Sequence, residues 1–310
     1  MNANSLIFDE AGVLRSGWRI TIFLFGFILC SGMLASVFFF LAESILRSRL
    51  SVLVQFGLGS FASLVAAIVS GWLCGKWIEQ LPFRAIGGGF SNGWLKHLLI
   101  GLAVGGGSLT FAVALAASFG NFRFVLNPEF SVQHIAESIA ISFLILALGA
   151  AFEEAFFRGY MFQTLARSGL ASAAILLTAG FFGLVHLHNP AAGNISTVNT
   201  IIAGILFGAA YLKSRDLWFP FGIHLMWNWM QGSVFGIEVS GLTELSSVSI
   251  LKEIDNGPEW LTGGTYGIEG GIVSTVALIA TLILIYFMPI VRADQQLFAL
   301  SSPAPTKSES

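Results

Sequence analysis

Charge is scarce in this sequence. Of its 310 residues, only 10% are Asp, Glu, Lys or Arg, whereas 55% are hydrophobic. A soluble globular domain carries roughly 25% charged residues, so this chain has too few to cover a surface that faces water. Its net charge of −2 provides no attraction to nucleic acid, and we expect no nucleic-acid partner. The composition predicts an integral membrane protein in a lipid bilayer.

Cysteine is nearly absent as well. Cys30 and Cys74 both lie inside apolar runs, and this pattern argues for neither a disulfide nor a metal site. Residues 1–17 are of mixed polarity, and no small-residue cleavage site follows a short apolar core, so we expect no cleavable signal peptide. No internal repeat is evident.

Long uncharged runs dominate the rest of the chain. A membrane-spanning helix needs about 20 predominantly apolar residues, and His188, Asn189 and Pro190 divide the longest run with a turn signature. The sequence predicts an all-α polytopic membrane helix bundle with about eight transmembrane helices. The predicted spans are 18–42, 51–75, 95–119, 135–160, 171–188, 197–213, 217–236 and 270–291.

The distribution of Lys and Arg predicts the orientation. With the N-terminus inside, eleven of these residues fall in cytoplasmic segments and four in outer segments, which together make the 15 in the chain. This is the asymmetry of the positive-inside rule, so both termini are predicted to be cytoplasmic. The predicted parts are a cytoplasmic segment 1–17, a transmembrane domain 18–293, an acidic outer loop 238–269 within it, and a disordered cytoplasmic tail 294–310.

Ionisable residues inside the spans are the candidates for function, because each costs about 2.5 kcal/mol or more at membrane depth. Glu153 and Glu154 are adjacent at the end of the fourth span. Glu154 and Arg158 are four residues apart, which is the favourable helical spacing for an ion pair. Glu153 is rotated by about 100° and points elsewhere.

Two further clusters contain histidine. His186 and His188 lie late in the fifth span, and their spacing of two residues turns them to different faces of a helix. At most one of them can share a site with Glu153, and we expect His188 to be an ordinary polar residue at a helix end. His224 and Asn228 are four residues apart in the seventh span and share one face.

The positions of these residues along their helices suggest a common depth. Glu153 and His186 each lie about 24 Å from the turn at 167–170, and His224 lies about 12 Å beyond Asp216, at 1.5 Å per residue. The two depths agree if the turn projects into the cytoplasm. We therefore expect the cluster to converge in the inner half of the membrane.

A carboxylate and two imidazoles suit two kinds of chemistry. Glu153, His186 and His224 could bind a divalent metal such as Zn²⁺ with a water in the open position. Alternatively, Glu153 and His186 activate water as general bases without a metal, while His224 and Asn228 stabilise an oxyanion. Asparagine is a poor zinc ligand, which favours the second role for Asn228.

Other catalytic schemes find little support. No Ser or Cys nucleophile has a base at a suggestive spacing, and no loop of the phosphate-binding kind is present. Gly105, Gly106 and Gly107 lie in the middle of a span, where small residues allow helices to pack closely.

The three motifs in this order resemble those of the CPBP family of intramembrane proteases, which includes the type II CAAX prenyl endopeptidases. The similar residues are Glu153, Glu154 and Arg158, then Phe182 and His186, then His224 and Asn228. The motif-bearing core covers about 95–235, and eight spans also match the family.

The resemblance implies an intramembrane endopeptidase that cleaves a peptide or membrane-anchored protein near the cytoplasmic face. It implies Glu153 as the catalytic carboxylate, His186 as its partner on water, and His224 and Asn228 as oxyanion stabilisers or helpers in holding a metal. Glu154 and Arg158 are implied as supporting residues. The composition and short loops suggest a bacterial member in the inner membrane, whose relatives are linked to bacteriocin processing or immunity. A non-catalytic immunity or regulatory scaffold of the same fold is the alternative, followed by a proton-coupled transporter, which inverted repeats would favour.

Overall fold

The computed structural model describes residues 6–8 and 12–303 and is mostly helical. The α-helices are α1 Ser16–Leu46, α2 Val52–Ile78, α3 Trp94–Phe119, α4 Val132–Glu154, α5 Phe162–Arg167, α6 Ala171–His186, α7 Asn194–Ser214, α8 Trp218–Trp229, α9 Glu259–Thr262, α10 Ile272–Phe287 and α11 Gln295–Ser301. Two π-helical segments, Ala155–Met161 and Met230–Val234, follow α4 and α8. The described residues also include short 3₁₀ turns and two strands, β1 Phe122–Leu126 and β2 Leu251–Asp255.

The predicted spans all coincide with helices. Within the described residues, five helices are long and apolar enough to cross a membrane: α1, α2, α3, the continuous run Val132–Arg167, and α7. The apolar helices α6 and α10 are shorter, at 16 residues each. A multi-pass membrane protein is therefore supported, while the count of eight spans and the positions of the termini stay predictions.

The outer surface of α1 shows why the bundle suits lipid. Phe25 and Ile28 are each 65% exposed, and Met33 is 71% exposed. Apolar side chains displayed this way along a long helix have no favourable contact with water. They are stabilised when lipid chains cover them.

Close packing of α3 against α8 positions the centre of the bundle. A side chain at Gly101 or Gly105 would collide with the backbone of α8 around Gly222 and Ile223. Gly107 faces open space. Glycine therefore permits the two backbones to touch, as predicted for Gly105, and this contact fixes the height of His224.

The helix that carries the acidic motif is interrupted directly after it. Ala155–Met161 is π-helical, and Gly159 has a ψ of −122°, which is outside the helical range. π-Helical turns often mark functional sites because they rotate side chains relative to a regular helix. Here the interruption separates Glu153 and Glu154 from α5.

The two ends of the bundle differ in character. We call one end the arginine end; it comprises the connections 79–93, 168–170 and 215–217 and the segment 288–303. We call the other end the loop end; it comprises the connections 47–51, 120–131, 187–193 and 235–271. At the arginine end, Glu79 accepts hydrogen bonds from Arg19 and Arg167, which joins three helices.

The loop end corrects the expectation of an all-α fold. β1 and β2 pair as an antiparallel two-stranded sheet, with Phe122 opposite Asp255 and Leu126 opposite Leu251. The two five-residue strands lie 125 residues apart in the sequence, inside connections that separate the spans. Their pairing depends on the bundle bringing these connections together, so local pattern could not predict it.

The predicted disordered tail is also wrong in its first part. Asp294 caps α11 by accepting hydrogen bonds from the backbone N–H groups of Gln296 and Leu297, and Leu297 is buried. Arg215 donates to the carbonyl oxygen of Ser301 and holds the helix on the arginine end. Residues 1–5 and 9–11 of the predicted N-terminal segment, and 304–310 of the tail, lie outside the described residues.

Candidate active site

Three helices supply the candidate site. Glu153 and Glu154 are the last two residues of α4, and His186 is the last residue of α6. His224 lies seven residues into α8, one turn before Asn228 on the same face. Gly105, which packs on the neighbouring Ile223, is the twelfth of the 26 residues of α3. The cluster therefore lies near the middle of the bundle rather than towards the arginine end.

Glu154 connects two of the motifs. Its Oε1 lies 3.0 Å from Nδ1 of His224 and 3.2 Å from Nη1 of Arg158. Glu154 is 1% exposed and Arg158 is fully buried, so both charges are removed from water. A buried carboxylate is stable only when it is paired and hydrogen-bonded. The sequence predicted the pair with Arg158 but not the contact with His224, which lies 70 residues away.

Aromatic rings surround the charged group of Arg158. Its guanidinium carbon lies 5.0 Å from the ring centroids of both Phe182 and Phe207, and Nη2 donates to the carbonyl oxygen of Gly204. Phe207 also stacks on the ring of His224, with 4.7 Å between centroids. Arg158 therefore links the acidic motif to α6 and α7 and restrains the imidazole of His224.

Glu153 faces His224 from the other side. Oε2 of Glu153 lies 3.6 Å from Nε2 of His224, beyond hydrogen-bonding distance but within range of a charge interaction. This oxygen is buried and has no protein hydrogen-bond donor among the described residues. Unlike Glu154, the side chain of Glu153 keeps 25% of its surface exposed. A carboxylate on a cavity wall, with one buried oxygen that has no protein partner, is suited to bind a water molecule or a substrate.

The hydrogen bond of His186 determines its tautomer. Nδ1 lies 2.7 Å from the carbonyl oxygen of Phe182. A carbonyl oxygen can only accept, so Nδ1 must carry the proton. In the neutral imidazole, Nε2 then has a free lone pair and can act as a base. His188 is exposed and does not line the cavity described next, in agreement with its assignment as an ordinary residue.

The four predicted catalytic residues line one cavity of about 280 Å³. Glu153, His186, His224 and Asn228 are all on its wall, together with apolar side chains such as Leu146 and Trp227. Within the described part of the chain, Glu153 contacts His224, whereas no direct hydrogen bond joins His186 or Asn228 to Glu153. A substrate or water in the cavity could contact all four.

This cavity extends to the loop end. Ser240, Leu242, Leu245 and Glu269 from the connection 235–271 line it, and so do Asn199 and Thr200 of α7. None of these residues was a sequence candidate, because nothing in their local pattern reveals that the connection folds over the site. The distribution of Lys and Arg predicts that the loop end lies outside the cell. The resemblance, however, implies cleavage near the cytoplasmic face. The two expectations therefore place the entrance to the cavity at opposite ends of the bundle.

The donor set of the metal-bound alternative is not arranged as a metal site. Within residues 6–8 and 12–303, no group of three or more His, Cys, Asp or Glu side chains is arranged to hold a metal ion. The set Glu153, His186 and His224 thus lacks the convergent geometry that Zn²⁺ requires.

Comparison with known proteins bears on the family. No curated protein matches the chain significantly. The family model described as Type II CAAX prenyl endopeptidase Rce1-like matches residues 135–230, a segment that contains all the motif residues and runs from α4 to the start of the second π-helical segment. Over residues 135–230 the chain therefore matches the Rce1-like type II CAAX prenyl endopeptidases, the family that its three motifs resemble.

Proposed function

We propose that this protein is an intramembrane endopeptidase in which Glu153 and His186 activate water. The observation that carries the proposal is the cavity on which Glu153, His186, His224 and Asn228 meet from three helices. Both bases have an atom available for proton transfer. Among the described residues, one carboxylate oxygen of Glu153 has no hydrogen-bond donor, and Nε2 of His186 is free. The match to a protease family supports a peptide substrate.

The first step is attack by water on the carbonyl carbon of the scissile peptide bond. Glu153 and Nε2 of His186 are the two bases available in the cavity, and one of them accepts the proton that the water loses. A new C–O bond forms, and the carbonyl π electrons move onto oxygen to give a tetrahedral oxyanion. The apolar side chains on the cavity wall strengthen these interactions, because charges are poorly screened beside them.

The second step is collapse of this intermediate. His224, held at Nδ1 by Glu154, can offer an N–H at Nε2 when it is doubly protonated, and Asn228 can offer its amide N–H. These donors stabilise the oxyanion. The C–N bond then breaks, and the proton taken in the first step passes to the leaving amine. Glu154 and Arg158 act as positioning residues that orient His224.

Purified full-length protein and a set of quenched, membrane-tethered peptides provide the test. Glu153→Ala and His186→Ala should each reduce cleavage by about 10²- to 10⁴-fold, the usual contribution of a general base. Glu137→Ala and His188→Ala are matched controls, since both side chains are exposed on or beside the same helices and lie off the cavity. Both controls should cleave like the wild type.

Two outcomes would overturn the proposal. Cleavage that survives both active-site substitutions would remove these residues from the reaction. No cleavage of any peptide class by the wild type, with a biological phenotype that survives Glu153→Ala, would favour the immunity or regulatory scaffold. Metal analysis of the purified protein together with chelation separates a metal-dependent from a metal-free reaction.

We further propose a bacterial inner-membrane location with the loop end outside, from the distribution of Lys and Arg. In a background without Cys30 and Cys74, Ser247→Cys at the loop end and Asn92→Cys at the arginine end place thiols at exposed positions. A membrane-impermeant maleimide added to intact cells should label only Ser247→Cys. Labelling of Asn92→Cys alone would invert the topology and give the cavity a cytoplasmic entrance.

A further inference from the structure

The loop end of the cavity is polar, in contrast to its apolar middle. Its wall there is formed by five side chains with hydrogen-bonding groups, which we call the polar rim: Asn189, Asn199, Thr200, Ser240 and Glu269. The proposed reaction uses none of them. A rim of this kind, at a distance from the catalytic residues, can recognise part of a substrate and fix its orientation.

Glu269 is the charged member of the rim. Its Oε2 accepts hydrogen bonds from the backbone N–H of Ser240 at 2.8 Å and from the hydroxyl of Ser240 at 2.7 Å. Oε1 receives no hydrogen bond from the described residues and is not enclosed by protein. One carboxylate oxygen is therefore fixed, while the other is available to a ligand.

The backbone around Ser240 is held in an unusual conformation that supports its hydrogen bonds to Glu269. Ser240 has a φ of +50°, a left-handed conformation that is unusual for a residue other than glycine, and Gly241 follows with a φ of +80°. The N–H of Gly241 donates to the carbonyl oxygen of Tyr266. Unusual backbone conformations persist where the surroundings hold them, and here they present Ser240 to Glu269.

Tyr266 lies behind the rim as a neutral group. Burial, followed by the negative charge of Glu269, raises the pKa of Tyr266 to about 12, although hydrogen bonds with Thr200, Ser240 and Asn189 act in the opposite direction. The phenol therefore stays protonated at physiological pH. It contributes no charge that could balance Glu269.

No lysine or arginine among the described lining residues balances Glu269 either. The described lining residues include the carboxylates Glu153 and Glu269 and the histidines His186 and His224, but no Lys or Arg. Arg158, the arginine of the motifs, is fully buried and bonded to Glu154. The loop end of the cavity, beside Glu269, therefore favours a cationic group over a carboxylate.

The spacing along α7 places the rim within reach of a bound peptide. Thr200 belongs to the rim, whereas Phe207 stacks on His224 seven residues later. Seven residues of α-helix span about 10 Å, and an extended peptide covers this distance in about three residues. A residue near the scissile bond can thus reach Glu269.

We propose that Glu269 selects substrates with a cationic group, either a Lys or Arg side chain or a free α-amine, two to four residues from the scissile bond. This inference deepens the proposed peptidase function and rests on it. It assigns the loop end of the cavity as a specificity subsite. The shared chemistry is an ammonium or guanidinium ion that pairs with Oε1 of Glu269.

The test measures binding separately from cleavage. Neutral, apolar fluorescent peptides carry Lys, Gln or Glu at each position in turn, with a free or acetylated N-terminus to distinguish the two sources of positive charge. The affinity of each peptide is measured for three full-length proteins in nanodiscs: the wild type, Glu269→Gln and Glu269→Lys. Glu244→Gln is the matched control, because it removes an exposed carboxylate from the same connection away from this cavity.

Wild type and Glu244→Gln should bind the best cationic peptide about tenfold more tightly than its Glu counterpart, which corresponds to about 1.4 kcal/mol. The preference should vanish in Glu269→Gln and reverse in Glu269→Lys. Equal affinity for all peptides in the wild type, or an unchanged preference in Glu269→Gln, would overturn the inference. If Glu269→Gln binds cationic and neutral peptides more weakly by the same factor, the inference is also overturned, since this result indicates that Glu269 has only a structural role.

If the proposed peptidase function itself is wrong, the measurements give a different result. In that case the charge preference in binding persists, but the peptides stay intact or are cleaved regardless of Glu153→Ala. Cleavage that needs Glu153 without any preference for a cation at the rim would instead remove the specificity subsite and leave the proposed reaction in place.

Discussion

The arginine end and the loop end of the bundle differ in how their carboxylates are paired. At the arginine end, Glu79 accepts hydrogen bonds from Arg19, Thr164 and Arg167. Burial alone would raise the pKa of Glu79, but the charge and hydrogen bonds of Arg167, helped by other donors, keep it below its usual value. At the loop end, one oxygen of Glu269 has no donor among the described residues.

This difference separates structural from functional charge. Buried charges that are fully paired hold helices in register, and the arginine end uses them to join α1, α2 and α5. Carboxylates that line a cavity without a cationic partner are costly to the fold and available to a ligand. The loop end and the adjoining cluster at Glu153 are therefore where we expect recognition and chemistry.

The largest effect on stability should come from the arginine end. Glu79→Leu leaves Arg19 and Arg167, only 10% and 11% exposed at their side chains, without their carboxylate. Removing one partner of a buried ion pair costs about 3–5 kcal/mol. Reversible unfolding in mixed micelles measures the loss.

The matched control for Glu79→Leu is Glu129→Leu at the loop end. Glu129 pairs with Lys252, and both side chains are more than half exposed, at 54% and 53%. An exposed pair contributes roughly 0–1 kcal/mol. Similar losses for the two variants would contradict the distinction between the ends.

An intermediate effect is expected from the contact that sets the height of His224. Gly105→Ala forces α8 away at Ile223, next to His224, whereas Gly107→Ala enters open space. A displacement of about 1 Å at a catalytic group can reduce the rate by about 10²-fold. Peptide cleavage should fall in Gly105→Ala and stay unchanged in Gly107→Ala; equal activities would show that this packing does not position the site.

The smallest effect is a pH dependence at the loop end. Burial, followed by the nearby charges of Glu238 and Asp255, raises the pKa of Glu253 from 4.5 to about 8. The folded protein then binds this proton more tightly than the unfolded chain, so the stabilisation is complete below pH 4.5 and is lost as pH rises towards 8. Wild type should lose a few degrees in melting temperature over this range, and Glu253→Gln should lose less. Identical pH profiles would contradict this environment for Glu253.

The sequence predicted the helices and the catalytic candidates because both leave local signals. Uncharged runs of about 20 residues mark spans, and the four-residue spacings of Glu154 with Arg158 and of His224 with Asn228 mark shared faces. The family follows from the order of these motifs, and the match over residues 135–230 confirms it.

The parts that could not be predicted depend on contacts between distant segments. Glu154 meets His224 across 70 residues, and β1 meets β2 only because the bundle aligns two connections. Glu269 reaches the cavity because the connection 235–271 folds back over it. No periodicity within any one segment carries this information, since each contact is set by tertiary packing.

The central claim is that Glu153 and His186 act on one water molecule, and a double-mutant cycle on peptide cleavage tests it most directly. Glu153→Gln and His186→Gln should each reduce the rate by about 10²- to 10⁴-fold, and the double variant should be little worse than either single variant, because residues that act as a unit are not additive. Losses that multiply in the double variant, or a single variant that cleaves like the wild type, would contradict the claim.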